Sequence, residues 1–380
     1  MVSGWESEAL PIHLRCYSRP VSGRADEASD ARPRSTKTWS PPQPSDMTLV
    51  FDTETTIDPP QRVRVLFYQL RVRGQLDEEA AAYDPAVLSA PERATLHAYC
   101  AARGLPAPMT MAAFRKDVFF ERGYDCGAEI VGFNLPFDLS RIAIGASPAR
   151  VTSYRRKMRG GFSLKMSDDA RRPHVQVKQL GARSALFEFT AEYRQRTSRP
   201  DRKRDDYTPV HRGHFTDVRT LAAALTSRSH SLKSLTKALG VKTQKTESDE
   251  HGGPLSFEYL DYARSDVQAT WECFEVLTAK YRSYGLGKGH WEVLSEASIG
   301  KATLSAMGVR SWLAQNPQPA PELMSKILGS YFGGRTEVRW RKTVRQVFHT
   351  DFTSMYPTVC TLQGLWRFII AKDFTVRDTT

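Results

Sequence analysis

The segment Thr48-Leu-Val-Phe51-Asp52-Thr53-Glu54 constrains this chain more than any other, because a short apolar run passes directly into two acids. The run from Thr48 to Phe51 reads as a buried strand, and strands buried on both faces occur in sheets covered by helices. Side chains alternate along a strand, so Asp52 and Glu54 project from the same face two residues apart. Two carboxylates ending an apolar strand are costly to desolvate and repel each other unless a cation or water neutralises them. An Asp-x-Glu pair taken alone is common and fits a solvated strand end better than a cation grip.

Further strands are expected at Val63 to Val72 and Glu129 to Phe133, with a helical, Ala-rich segment between them. Residues 161–189 read as hairpin material, with strands at Phe162 to Met166, Val175 to Val177 and Ala185 to Phe189. Helices follow around Leu221 to Leu225 and Leu232 to Leu239, then a long one from about Ser256 to Tyr281. This mixture predicts an α/β layer fold. Residues 1–46, rich in Pro, Ser, Arg and Asp without apolar periodicity, are expected to form a disordered arm. Met47 stands directly before the first strand, so Met1 and Met47 both suit the start. A Pro-rich stretch at Asn316 to Pro321 reads as a hinge.

The formal charge of +12 is concentrated in residues 150–213, which hold 17 Lys/Arg against 7 Asp/Glu. Aromatic residues interleave with the cations there (Tyr154, Phe162, Phe187, Phe189, Tyr193), which suits a polyanion whose bases stack on rings. A solvated basic hairpin that keeps the protein soluble is the alternative. The five cysteines are scattered singly, with no Cys-x-x-Cys and no His at ligand spacing, so neither a disulfide framework nor a zinc site is indicated. Without a bilayer-length apolar run or a signal-peptide core, a cytoplasmic chain with no membrane partner is expected.

Two further acids stand out. In Gly132-Phe-Asn134-Leu-Pro136-Phe137-Asp138 a strand gives way to a helix, placing Asp138 in the first turn. An acid there also complements the helix dipole, with Asn134 an ordinary N-cap. On the helix from Ser256, one face carries Tyr259, Tyr262, Ala263, Asp266, Val267, Thr270, Trp271, Phe274 and Leu277, and Asp266 is the acid in that stripe. Asp261, Glu272 and Glu275 fall on the opposite, solvated face. A core-facing acid needs a partner: the hydroxyl of Tyr262 one turn earlier, a metal, or a buried arginine. Asp52, Glu54, Asp138 and Asp266 together could hold two Mg²⁺ or Mn²⁺ ions for phosphodiester hydrolysis, with Tyr262 orienting the attacking water.

These segments together resemble the proofreading exonucleases of the DEDD superfamily, in the subgroup with a tyrosine in the third motif. Asp52-Thr-Glu54 matches the first motif, Asn134 through Asp138 the second and Tyr262-Ala-Arg-Ser-Asp266 the third. The resemblance implies a ribonuclease H-like fold, a mixed sheet flanked by helices, with Thr53, Asn134 and Phe137 near the 3′ end of single-stranded or primer DNA. Ser231-Leu-Lys-Ser-Leu-Thr-Lys-Ala-Leu-Gly240 is similar to the Leu-rich helix that precedes the third motif. Downstream, Asp351-Phe-Thr-Ser354-Met-Tyr356-Pro357 resembles motif A of family B DNA polymerases, and Tyr331-Phe-Gly333-Gly334 resembles their Tyr-x-Gly-Gly linker. The resemblance implies that Asp351 is a polymerase metal ligand, that Ser354 lies in the turn cradling the triphosphate, and that Tyr356 excludes the ribose 2′-hydroxyl.

The implied organisation is an arm at 1–46, an exonuclease domain at 47–285 with a basic β-rich insertion at 150–213, a helical linker at 286–330, and the start of a polymerase palm at 331–380. Neither a fingers lysine helix nor the second catalytic Asp-x-Asp motif follows, so polymerisation is not expected from this chain unless a second chain completes the site. The expected activity is a metal-dependent 3′→5′ exonuclease on DNA. The alternatives are a free-standing exonuclease acting on RNA or DNA, and an inactive DNA-binding polymerase remnant.

Overall fold

The computed structural model describes residues 43–149, 161–190, 214–245 and 252–309, with short stretches between 318 and 364. Chain contacts divide it into two units, one spanning Trp39–Ala306 and the other Met1–Thr38 with Met307–Thr380.

In the first unit a six-stranded mixed sheet runs in the order β10-β5-β1-β2-β3-β4. Strand β1 (Met47–Thr55) pairs in parallel with β5 (Glu129–Gly132) and antiparallel with β2 (Val63–Val72). Strand β10 (His214–Asp217) extends the parallel side, while β3 (Gln75–Tyr83) and β4 (Met109–Thr110) form the other edge. The expected α/β layering is present as a mixed sheet flanked by helices.

The alternation of β1 divides the unit into two cores. Val50 joins Val65, Phe67 and Val131 on one face, beneath α1 (Ala90–Ala102), α4 (Val218–Thr226), α5 (Leu232–Leu239) and α6 (Phe257–Arg282). Leu49 and Phe51 point to the other face, covered by a π-helical segment (Phe114–Asp125) that continues a single turn, α2 (Met111–Ala113), and by α3 (Leu135–Ile142). That second core also takes up one side of a four-stranded antiparallel sheet, β6 (Gly145–Pro148), β7 (Phe162–Lys165), β8 (Val175–Gly181) and β9 (Ser184–Phe189).

The Ala-rich segment expected to be helical is in part strand β3. Arg73 and Gly74 both take positive φ, 51° and 80°, the geometry of a tight hairpin, and so fold Gln75–Tyr83 back on β2. Ala80, Ala81 and Ala82 are then fully buried, where tertiary packing overrides helix propensity. Of the arm expected over 1–46, residues 1–42 lie outside the described residues, while Ser45 N–H donates to the Gly127 carbonyl at 2.9 Å and Asp46 pairs with Arg73 at 3.0 Å. At the other end the unit continues beyond 285 through a single 3₁₀ turn (His290–Glu292) and α7 (Glu296–Ala306), residues expected to form a linker. His290 is buried and sits 2.7 Å from Glu129. Among the described residues no helix is long and apolar enough to cross a membrane.

The second unit contributes α8 (Met355–Leu362), with Ser354 at its N-terminus in left-handed conformation and Tyr356 exposed. Tyr331, Gly333, Gly334 and Asp351 lie outside the described residues, as do 150–160 and 191–213 of the basic stretch.

Gly132 is a close-approach glycine: a Cβ there would sit 2.9 Å from Leu135 and 3.3 Å from the Phe51 carbonyl. Gly132→Ala should push the Leu135 side chain from its buried position and cost about 1–3 kcal/mol, read as a lower urea midpoint at unchanged slope.

Candidate functional site

Strand alternation sets the arrangement. Asp52 and Glu54 continue the Val50 face toward α6, whereas Thr53 continues the Phe51 face toward α3. On α6, Tyr262 and Asp266 follow one another by a turn on the buried stripe. Asp52, Glu54 and Asp266 each offer a carboxylate oxygen within 4.8 Å of the others, a group that could hold a metal ion. Hard divalent cations take oxygen ligands at about 2.0–2.6 Å, so ligand oxygens on opposite sides of one ion lie about 4–5 Å apart, and the donor set fits.

Asp138 enters from the other face and is held by the strand. Its Oδ1 accepts from Thr53 Oγ1 at 2.6 Å and from Thr53 N–H at 3.2 Å. Burial pushes Asp138 up to about 8, with further upward pressure from Asp217 and Glu54 and partial relief from the Thr53 bonds. Asp52 is raised well above the usual carboxylate range by burial, then by Asp138, Asp266 and Glu54, and Lys245 only partly offsets this.

Asp52, Thr53, Glu54, Asn134, Phe137, Asp138, Tyr262 and Asp266, the expected exonuclease residues, all line one cleft of about 580 Å³. Arg219, His230, Lys233 and Lys245 add a basic wall. Ser354 and Tyr356 belong to the other unit, and the remaining polymerase residues are outside the described set.

Several contributors were not visible in the sequence. Lys245 donates to Asp266 Oδ2 and lies 4.8 Å from the Tyr262 ring centroid. Among the described residues the core-facing acid is paired with a lysine. Burial alone would depress Lys245, but the Asp266 carboxylate outweighs it and raises the ammonium above its ordinary value. Glu272, expected on a solvated face, instead anchors the segment that delivers this lysine: its carboxylate accepts from Thr243 N–H at 2.7 Å and Thr243 Oγ1 at 2.8 Å. Asp261 likewise has partners, Tyr99 Oη at 2.8 Å and Arg103. These acids lie far in sequence from the groups they bind, so helical periodicity could not reveal the bonds.

Asn134 makes no side-chain cap bond to α3, and its φ of 68° is left-handed. The cap is supplied by buried Asp217, whose Oδ1 accepts from the N–H groups of Asn134 (2.8 Å) and Leu135 (3.1 Å). Its Oδ2 meanwhile accepts from Thr220 N–H and Oγ1 at the start of α4. One carboxylate thus joins two helix N-termini at the cleft, and Asn134 Oδ1 accepts from Arg219 at 3.4 Å. The sequence cue was the Asp217-x-x-Thr220 cap pattern, whose second role across space is not encoded locally.

No family model matches the chain, and no curated protein matches it.

Because Asp52 and Asp138 are raised, the metal-free folded state holds protons that the unfolded chain releases. Stability from this source is present below the unfolded carboxylate range and is lost as pH rises through about 8. In EDTA the Tm should therefore be higher near about pH 6 than near about pH 9. Adding Mg²⁺ or Mn²⁺ at the higher pH should raise Tm by a few degrees and release protons, measured by scanning calorimetry and by titration in two buffers. A Tm indifferent to the ions would contradict the site's chemistry.

Proposed function

We propose that this chain hydrolyses DNA from its 3′ end, using a ribonuclease H-like exonuclease domain of the DEDD type with two Mg²⁺ or Mn²⁺ ions. The observation that carries this reading is the meeting of the three motif segments in one cleft, with Asp52, Glu54 and Asp266 oxygens within 4.8 Å of one another. Asp52, Glu54, Asp138 and Asp266 would hold the ions, which when bound neutralise phosphoryl charge and lower the pKa of water.

The other steps belong to side chains. Phe137, with Phe133 beside it in the cleft, offers an apolar surface on which a terminal base can stack. Asn134 and Thr53, which line the cleft, would make polar contact with the terminal nucleotide, and Arg219 and Lys233 would meet its phosphates. Tyr262 orients the water that attacks phosphorus. The bond to the 3′-oxygen of the preceding nucleotide breaks, and a nucleoside 5′-monophosphate leaves. Lys245, beside Tyr262 and free of Asp266 once that carboxylate holds an ion, would supply positive charge where the phosphoryl oxygens gain negative charge.

The family B polymerase context rests on the Tyr331-x-Gly333-Gly334 and Asp351 motifs alone, and the exonuclease reading does not depend on it. One observation favours a second reading: with Lys245 paired to Asp266, the cleft could bind DNA without cutting it.

The test is degradation of a 5′-labelled single-stranded DNA with Mg²⁺ or Mn²⁺. The proposal expects a 3′→5′ ladder that Asp52→Ala and Asp266→Ala abolish and that Tyr262→Phe slows by about 100-fold. Salt-sensitive binding of the same DNA without cleavage in either metal would replace the nuclease with the binding remnant. A matched RNA strand cut equally well would favour the free-standing exonuclease.

A further inference from the structure

We propose that Tyr259 is the positioning residue that prepares Glu54 as a metal ligand, a role separate from that of Tyr262; the inference rests on the metal-dependent reading of the cleft. Tyr259 lies three residues before Tyr262 on α6 and is 1% exposed. Its hydroxyl donates to Glu54 Oε2 at 2.6 Å, whereas Tyr262 lines the cleft and Tyr259 does not. Tyr259 therefore acts through Glu54 and not on substrate.

Glu54 needs such help more than the three aspartates do. It has the longest side chain of the four ligands and the most rotamer freedom to lose. It also sits at the end of β1 where the register with β2 shifts between Glu54 and Thr55, an irregularity that re-aims side chains. Fixing one carboxylate oxygen by a buried hydroxyl confines the group and so favours coordination by it.

The hydroxyl is itself held rigidly. The Tyr259 ring stacks on Tyr262 with centroids 6.1 Å apart and planes 20° apart. The Arg64 guanidinium lies 5.9 Å from the Tyr259 ring centroid. Arg64 is buried and fixed by Glu92 at 2.6 Å and by the Gly253 carbonyl at 2.7 Å, just ahead of α6. Glu92 in turn closes the capping box with Ser89 at the start of α1. A chain of fixed groups thus runs from the α1 cap through Arg64 and Tyr259 to Glu54.

The experiment is Mn²⁺ binding to the full chain without DNA, followed by electron paramagnetic resonance, for wild type, Tyr259→Phe, Glu54→Gln and the double variant. Tyr259→Phe keeps the ring stack and the Arg64 contact and removes only the hydroxyl. Its Mn²⁺ affinity should fall by about tenfold with single-stranded DNA binding in EDTA unchanged and Tm lower by no more than about a few degrees, and excess Mn²⁺ should restore nuclease rate. In the Glu54→Gln background the same change should have no further effect on Mn²⁺ affinity, which a merely structural tyrosine would not produce. Wild-type binding with an affinity within about twofold in Tyr259→Phe overturns this role and leaves the nuclease reading intact. A wild-type protein that binds no Mn²⁺ overturns both.

Discussion

Mutual repulsion among buried carboxylates is the constraint on which the rest of this structure depends. Asp52, Glu54, Asp138 and Asp266 approach one another where β1, α3 and α6 meet, and burial there leaves their repulsion poorly screened. The molecule relieves the repulsion in three visible ways. Asp52 and Asp138 are driven toward the protonated form, Asp266 takes the Lys245 ammonium, and Glu54 and Asp138 accept hydroxyl donors from Tyr259 and Thr53. Each device is what a divalent cation would replace or exploit.

The surrounding architecture supports that arrangement. The sheet is covered on both faces, so β1 can present its acids on one side and Thr53 on the other, and the two sides recruit different helices. Asp217 ties the starts of α3 and α4 together, holding Asn134 in a left-handed conformation that costs about 1 kcal/mol unless compensated. Glu272 fixes Thr243 two residues before Lys245, so the cation is delivered by an anchored segment.

Local periodicity made much of this legible. Period-two alternation placed Asp52 and Glu54 on one face, and the helical stripe picked out Asp266 among the acids of α6, as the structure has them. What stayed hidden were interactions between segments distant in the chain. Lys245 lies 21 residues from Asp266 and Asp217 lies 83 from Asn134. Strand β3 was misread because Glu78, Glu79 and Ala80–Ala82 favour a helix, and only pairing with β2 through the Arg73-Gly74 turn overrides that preference. Tyr259 was seen on the buried stripe, but nothing in the stripe points to its bond with Glu54.

The central claim is that these carboxylates exist to hold divalent cations. A crystal of the chain soaked in Mn²⁺, examined by anomalous scattering at the manganese edge, tests it directly. The account predicts a peak bounded by Asp52, Glu54 and Asp266, with the Lys245 ammonium displaced from Asp266. A Lys245–Asp266 pair left intact at saturating Mn²⁺, with no peak among the three acids, would contradict it.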